Sequence, residues 1–290
     1  RQGEETYFAP QVVNAAIEWL EAQKRKDRLF LWVDLFDPHE PWDPPPPFDA
    51  MYDPDYKGQV LIDPVAGFVE GYMAPEEVRH TAALYAGEVS FMDKWVGKLL
   101  EAIKSLGLWE NSLILFTSDH GELLGERNCI RKARPWPYEE LSRIPFLAKM
   151  PGGEGAGRTV EAFIQTADLA PTLCDLLELP PLPGTTGQSF LPILKGKAHA
   201  VRDYAISGWY GRSWSIRDAE WSLYLWLDNY GPQPWDPRQP GQRELYALAQ
   251  DPGETTNLAS VYPNVADALE LKLRRFIDDL TWEPVSPPRL

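Results

Sequence analysis

The chain has 290 residues, and its 28 lysines and arginines against 43 aspartates and glutamates give a formal net charge of −15. This acidic balance argues against nucleic acid as a bulk partner, because phosphate neutralisation requires clustered basic side chains. No apolar run approaches the roughly 20 residues that a membrane-spanning helix needs, and the two cysteines, Cys129 and Cys174, are too few for a disulfide scaffold.

The first predicted elements are a helix and a buried strand. Apolar residues recur at helical spacing within residues 9–27. Residues 29–36 (LFLWVDLF) form a nearly continuous apolar run, which is the pattern of a strand covered on both faces. Seven prolines lie within residues 37–54, so this stretch is predicted to be a rigid surface loop after the strand.

Helices and strands then alternate. A long helix is predicted over residues 75–107, with acidic residues in its first turn, and a second helix over 168–179, capped by Asp168. Buried strands are predicted over residues 112–118 and 144–150. This alternation predicts the α/β class, with a mainly parallel sheet flanked by helices.

The last third of the chain has a different residue pattern, with many aromatic residues in short runs. Short runs rich in tryptophan, such as residues 214–216 and 221–226, predict an antiparallel sheet, and an amphipathic helix follows over 264–280. We therefore predict two domains. The first is an α/β core over residues 1–184, and the second is a smaller subdomain over 185–290 with the antiparallel sheet and the terminal helix.

Two predicted strands end in loops with ionisable side chains, and ligands of open α/β sheets bind beyond such strand ends. Asp119 and His120 offer a carboxylate oxygen and an imidazole nitrogen, which suit Mg, Mn, Ca or Zn. The alternative is that they cap a turn and bind backbone. His39 lies in the proline loop and is either a donor held in place or a structural histidine.

A small basic cluster follows the Asp119-His120 pair in this otherwise acidic chain. It contains Arg131, Lys132 and Arg134. It is interpreted either as a clamp for a sulfate or phosphate oxyanion or as a solvated loop. Cys129 beside it is interpreted as a buried or idle thiol in preference to a reactive one.

Residues 116–122 (FTSDHGE) resemble a segment of the sulfatase family, within the alkaline phosphatase superfamily. The resemblance covers most of the chain. The other similar segments are 37–42 (DPHEPW, the His-x-Pro loop), 84–107 (the helix before the Ser-Asp-His-Gly strand), 131–134 with 138–146 (the lysine loop and next strand), 167–172 and 244–258. Several long motifs in the same order make the resemblance specific.

The resemblance implies a metal-dependent sulfuric ester hydrolase. Asp119 and His120 would be two ligands of a divalent metal, which is Ca or Mg in many members and Mn or Zn in others. Lys132 would contact the substrate oxyanion, with Arg134 as the alternative at that position. His39 would lie near the leaving-group oxygen as a donor or acid.

The sequence also departs from the family pattern. Members begin with a strand that ends in paired aspartates, followed by a Cys/Ser-x-Pro-x-Arg motif whose first residue becomes formylglycine. Neither cysteine has that context, and residues 286–289 (SPPR) carry the arginine one place too early. We therefore predict that formylglycine is not available in this chain, that the 290 residues are the C-terminal part of a longer enzyme, and that the isolated chain is inactive.

Three consequences are predicted from this partial site. Metal affinity should be weak with two ligands. The apolar strands should pair with an N-terminal segment or with a second copy as a homo-oligomer. The N-terminal sequence RQGEETYFAP has no signal-peptide core and no initiator methionine. Since we expect the N-terminal segment that would carry a signal to be missing, an exported and a cytoplasmic protein both stay open.

Two other functions stay open beside the sulfatase hypothesis. The first is a phosphodiesterase or phosphonate hydrolase of the same superfamily, since similar ligands serve phosphorus. The second is a non-catalytic glycan-binding or structural module, suggested by the aromatic-rich residues 201–250. The partner would accordingly be a sulfate ester or phosphate ester, as a small molecule or a glycan.

Overall fold

The computed structural model describes residues 3–132, 137–209, 211–227 and 238–280. The chain forms two compact units. The first contains Arg1–Ser118, Glu122–Arg134 and Pro145–Ala156, and the second contains Asp119–Gly121, Pro135–Ile144 and Gly157–Leu290. The division into domains at residue 184 stays a prediction.

Two helices form the core of the first unit. Helix α1 spans Phe8–Ala22 and helix α2 spans Pro75–Ser105. Apolar side chains at helical spacing meet between them, with Val13 and Leu20 of α1 buried in one cluster with Phe91 of α2. Full burial of one such side chain contributes about 1.5–3 kcal/mol. Helix α1 ends five residues before the predicted end, so the charged residues after it are not helical.

Local signals determine both ends of α2. Pro75 occupies its first position, where the missing N–H costs no hydrogen bond. The Glu77 carboxylate accepts a hydrogen bond from the backbone N–H of Ala74 at 2.7 Å. Gly107, with a φ of 71°, follows the last turn in the left-handed conformation that stops helices. The prediction of this helix is confirmed.

The strands of the first unit are short and pair antiparallel. Strand β1 (Gly67–Phe68) pairs with β3 (Cys129–Ile130), and β2 (Ile114–Thr117) pairs with β4 (Phe146–Lys149). Strands β2 and β4 lie where we predicted strands, but they are not the buried strands that we predicted: β2 is half-buried throughout, and Leu147 of β4 is 62% exposed. Their antiparallel ladder differs from the mainly parallel pairing that we predicted, because the alternation of helices and strands along the chain does not determine which strands become neighbours in space.

Residues 29–36 are the main correction to the predicted elements. They form no strand in the described part of the chain. Three of the four odd-numbered side chains, Leu29, Val33 and Leu35, pack against the α1–α2 core, and the fourth, Leu31, is 36% exposed. The exposed alternate aromatic side chains are Phe30, Trp32 and Phe36, at 67%, 71% and 51%. The segment is therefore covered on one face, whereas the apolar run predicted cover on both.

The second unit contains a four-stranded antiparallel sheet in chain order. Its strands are β5 (Ala205–Trp209), β6 (Ser213–Arg217), β7 (Trp221–Trp226) and β8 (Arg243–Ala247). Helix α6 (Pro263–Asp279) packs on the sheet, and its Leu269 and Leu273 share a buried cluster with Leu223. The predicted antiparallel sheet and terminal helix are confirmed.

The second unit also contains three shorter helices, α3 (Glu139–Ser142), α4 (Leu169–Leu176) and α5 (Leu191–Leu194). Helix α4 begins after Asp168, as predicted, and ends at Leu176, short of the predicted end. The buried Asp168 carboxylate makes no cap to α4. It accepts instead from the backbone N–H groups of Gln165 at 2.8 Å and Gln188 at 2.7 Å. It therefore ties two chain segments together.

Candidate functional site

A buried tryptophan holds the loop that carries His39. Trp42 is fully buried. Its backbone N–H donates to the Ile62 carbonyl at 2.7 Å, and its Nε1 donates to the Pro38 carbonyl at 2.9 Å. Prolines at 38 and 41 restrict the backbone on both sides of His39. The stretch is a loop around His39, as predicted, but it does not lie on the surface throughout, because Glu40, Trp42 and Phe48 are buried.

The backbone also determines the protonation of the His39 ring. Nδ1 lies 2.8 Å from the Glu40 carbonyl oxygen, and because a carbonyl only accepts, Nδ1 carries a hydrogen. In the neutral ring the lone pair is therefore on Nε2. The ring stacks on Phe36 with 4.4 Å between centroids, and the side chain is 38% exposed. His39 can therefore exchange a proton with a bound group through Nε2.

Lys132 lies between two carboxylates. Its Nζ is 2.6 Å from Glu40 Oε2 and 3.7 Å from Glu122 Oε2. The same Glu40 oxygen is 3.1 Å from His39 Nδ1, and the other Glu40 oxygen accepts a hydrogen bond from Arg131 Nε. The structure therefore brings the two predicted catalytic residues, His39 and Lys132, together around one carboxylate.

The two carboxylates respond to this environment in opposite ways. Burial acts to raise the pKa of Glu40, but hydrogen bonds from Lys132, its own backbone and Arg131 outweigh burial and lower the pKa to about 2. Burial raises the pKa of Glu122 to about 7, since the charge of Lys132 acts on it from a greater distance. Glu40 is thus ionised at neutral pH, where Glu122 is partly protonated.

Glu40 is the functional residue that our sequence analysis missed. The available signal was an acidic side chain directly after His39 in the DPHEP segment. That signal does not identify a partner, because Lys132 lies 92 positions away in the chain. Only the folded arrangement shows that the two side chains meet.

The predictions for Arg134 and Cys129, in and beside the basic cluster, differ in how far the structure tests them. Arg134 lies outside the described residues, so its role at the oxyanion position stays a prediction. Cys129 is buried, and its Sγ donates to the Arg127 carbonyl at 3.3 Å. This agrees with an idle thiol, because reactive cysteines are partly exposed.

Asp119 and His120 lie side by side in the second unit. His120 Nδ1 is 2.8 Å from the Gly121 carbonyl oxygen, so Nδ1 carries the hydrogen and the neutral ring has its lone pair on Nε2. Nε2 in turn lies 3.4 Å from Asp119 Oδ2. A backbone carbonyl on one ring nitrogen is the usual arrangement of a metal-binding histidine.

These two residues fit part of a divalent metal shell. A carboxylate oxygen and an imidazole nitrogen are suitable donors. Within the described ranges, however, no group of three or more His, Cys, Asp or Glu side chains is arranged to hold a metal ion. The described residues therefore supply two candidate ligands and not a complete site.

Gly121 is required by a close approach of backbone. A Cβ atom at this position would lie 2.0 Å from the Glu140 carbonyl oxygen. The Gly121 N–H also donates to the Leu141 carbonyl at 2.8 Å. Only glycine leaves room for this contact, which holds the turn directly after His120 against helix α3.

Comparison with known proteins places the chain among sulfatases. It matches the sulfatase family model over residues 3–179 and the model of the C-terminal region of N-sulphoglucosamine sulphohydrolase over residues 131–279. It is 27% identical over 272 residues to an arylsulfatase of Clostridium perfringens, covering 85% of this chain and 52% of that protein. It is 28% identical over 240 residues to arylsulfatase K of Danio rerio, covering 80% and 43%. The chain thus spans about half the length of these relatives.

Solved structures show the same fold. The chain is similar to the phosphonate monoester hydrolase of Agrobacterium radiobacter, with a TM-score of 0.78, 24% identity and coverage of 96% of this chain and 62% of that one. It is also similar to a protein solved with its substrate D-glucosamine-2-N,6-O-disulfate, with a TM-score of 0.76, 19% identity and coverage of 93% and 69%. These likenesses confirm the predicted α/β class.

No helix among the described residues combines the length and the apolar composition that a bilayer crossing requires. The sulfatase family model covers more than half of the chain. The DPHEPW loop, FTSDHGE and the lysine loop lie within the residues that this model matches, and the segment 244–258 lies within the match to the second model. The chain therefore belongs to the sulfatase family of the alkaline phosphatase superfamily, as its motifs predicted.

Proposed function

We propose that this chain contributes part of the active site of a metal-dependent sulfuric ester hydrolase. The substrate would be a sulfate ester, as a small molecule or a glycan. The observation that supports this most is the arrangement of Lys132 and His39 on the Glu40 carboxylate, in a chain of the sulfatase family. The family implies a divalent metal, and we propose Ca or Mg, with Asp119 and His120 as two of its ligands.

In this proposal Lys132 binds the sulfate oxyanion. An ammonium has three hydrogens, and Glu40 accepts one of them. Glu122 Oε2 lies 3.7 Å from the ammonium, which leaves at least one hydrogen for a sulfate oxygen on the exposed part of the side chain, which is 18% exposed. A fixed positive charge at that place offsets negative charge that develops as the ester bond breaks.

His39 acts on the leaving group. With Nδ1 held by the Glu40 carbonyl, the second proton of the charged ring is on Nε2. Nε2 donates that proton to the leaving oxygen as the bond to sulfur breaks, which avoids release of a strongly basic alkoxide. The adjacent Glu40 carboxylate, 3.1 Å from the ring, balances the positive charge of this form.

A bound metal supplies Lewis-acid polarisation of the ester and orients the nucleophile. This chain contributes the Asp119 carboxylate and the Nε2 atom of His120. The backbone carbonyl of Gly121 keeps that nitrogen deprotonated when the ring is neutral, which is the form that binds metal.

The fold likeness to a phosphonate monoester hydrolase favours one second candidate, a phosphonate or phosphodiester hydrolase. Lys132 and His39 would serve a phosphorus oxyanion in the same way. A glycan-binding module has less support. Three aromatic side chains of the 201–250 region, Tyr224, Trp226 and Tyr246, are buried in the sheet and present no stacking surface.

Sulfate binding tests the role of Lys132. We expect isothermal titration calorimetry to detect sulfate binding, and Lys132→Met to weaken it at least about tenfold, because a charged hydrogen bond contributes about 1.5–3 kcal/mol. The matched control is Lys94→Met, which removes a lysine that is likewise paired with a glutamate, Glu4 at 2.7 Å.

The same titration separates the two candidates. Stronger binding of sulfate than of methylphosphonate supports the sulfatase proposal, and the reverse order favours the phosphonate hydrolase. Equal losses in Lys132→Met and Lys94→Met would show that sulfate responds to net charge alone, and would exclude Lys132 as its specific ligand.

Metal titration tests Asp119 and His120. We expect Ca or Mg to bind weakly, with a dissociation constant on the order of 1 mM, because two ligands leave most of the shell to water. NMR measures binding through the chemical shifts of the His120 ring. Asp119→Asn should abolish the metal-induced shift change, whereas replacement of the exposed Asp93 by asparagine should not. A tight site with three or more ligands from this chain would contradict the assignment.

A further inference from the structure

The Glu40 carboxylate takes part in more than a single ion pair. Its side chain is 1% exposed, and both of its oxygens are used. One oxygen accepts from Arg131, and the other lies 2.6 Å from Lys132 Nζ and 3.1 Å from His39 Nδ1. A single buried carboxylate thus contacts three cationic or proton-carrying groups.

The surroundings fix this carboxylate in place. The loop on which it lies is held by the buried Trp42. Arg131 is itself anchored on its far side, where Nη1 donates to Asp63 Oδ1 at 2.8 Å and to the Pro64 carbonyl at 2.7 Å. Arg131 has a φ of 68°, a conformation that non-glycine residues rarely adopt and that persists where the surroundings impose it.

We infer that Glu40 is the positioning residue of this site, which aims the Lys132 ammonium at the bound oxyanion and keeps the His39 ring beside it. This inference rests on the proposed function, because it takes the roles of Lys132 and His39 from there. Glu40 occupies the variable position of the His-x-Pro segment, a position to which the resemblance assigns no role. Because its side chain is 1% exposed, Glu40 would act on a bound substrate through Lys132 and His39.

A purely electrostatic effect of Glu40 would change sulfate affinity in the opposite direction. The direction of the change in affinity when Glu40 is removed therefore tests the inference. Glu40 is a negative charge beside an anion site, so its removal would strengthen sulfate binding if charge were all that mattered. If Glu40 positions Lys132, its removal weakens sulfate binding although the site becomes more positive.

The experiment compares three variants by sulfate titration. Glu40→Gln keeps the shape and removes the charge, and Glu40→Asp keeps the charge but is too short to reach both Arg131 and Lys132. We expect each to weaken sulfate binding about tenfold. The control is Glu4→Gln, which removes a carboxylate that is likewise paired with a lysine, Lys94 at 2.7 Å, and that contacts neither Arg131 nor Lys132; it should not weaken binding. Sulfate affinity in Glu40→Gln that equals or exceeds that of the unaltered chain would overturn the inference.

A second measurement does not depend on sulfate. Acetic anhydride labelling followed by mass spectrometry compares the reactivity of Lys132 with that of Lys94 in the same sample. We expect the ratio to rise about tenfold in Glu40→Gln and in Glu40→Asp, because Lys132 is released from its partner. An unchanged ratio would overturn the inference. If the unaltered chain binds no sulfate, the proposed function fails, while the labelling still decides the role of Glu40.

Discussion

Replacement of Glu40 by glutamine is expected to lower the free energy of unfolding by about 3 kcal/mol at pH 7. Two cations, Arg131 and Lys132, lose their shared ionised partner, and the loss of one member of a buried pair leaves charge without compensation. The estimate follows from the lowering of the Glu40 pKa from 4.5 to about 2. Urea unfolding followed by tryptophan fluorescence measures it.

The pH dependence of this difference has a definite sign. Because the pKa of Glu40 is lower in the folded state than in the unfolded state, its contribution is complete above pH about 4.5 and is lost as the pH falls through about 2. The difference in the free energy of unfolding between the unaltered chain and Glu40→Gln should therefore have its full value at pH 5–7 and decrease to nearly zero toward pH 2.

The matched control is Glu4→Gln, which removes a glutamate paired with Lys94 at 2.7 Å near the surface. Exposed pairs contribute about 0–1 kcal/mol, so this variant should be nearly as stable as the unaltered chain. A Glu40→Gln difference that is as small as this, or that persists undiminished at low pH, would contradict the burial argument.

The chain is expected to self-associate through the exposed face of residues 29–36. Phe30, Trp32 and Phe36 present a row of aromatic side chains to solvent, and contiguous exposed apolar side chains of this kind favour association with another protein surface. Burial of several hundred Å² of such surface contributes several kcal/mol, at about 25 cal/mol per Å². Multi-angle light scattering should therefore report a mass above the 32.9 kDa of one chain.

A charge on that face should prevent association. Trp32→Lys is expected to shift the scattering mass to a single chain, because pairing would then bury an unpaired ammonium. Leu271→Lys, on an exposed position of helix α6, is the control and should leave the mass unchanged. A monomer of the unaltered chain with one cooperative unfolding transition would show that this face needs no partner.

Local patterns in the sequence predicted much of the fold. Helix α2 was predictable because Pro75, the acidic first turn and Gly107 act within a few residues of the helix ends. The antiparallel sheet of the second unit was predictable because its tryptophan-rich runs alternate over short distances. The sulfatase membership followed from motifs that are themselves contiguous, such as FTSDHGE.

The tertiary structure alone decided the features that depend on distant contacts. An apolar run such as residues 29–36 predicts only that its side chains are buried, and does not predict that they pack on one side alone. The antiparallel direction of β2 and β4 likewise depends on which strands meet in the folded chain. The need for glycine at 121 arises from a backbone oxygen 19 positions on, that of Glu140.

In the candidate site, some features follow from local sequence and others depend on distant contacts. His39 and Lys132 could be identified as candidate catalytic residues before folding was considered, because each lies in a recognisable segment. The sequence did not determine that they share Glu40, since that contact joins segments 92 positions apart. Such a contact forms only when packing around Trp42 and the anchoring of Arg131 bring the two loops together. Burial of apolar side chains stabilises the loops, and hydrogen bonds from Lys132 and Arg131 outweigh the cost of burying the Glu40 carboxylate; no local pattern contains either contribution.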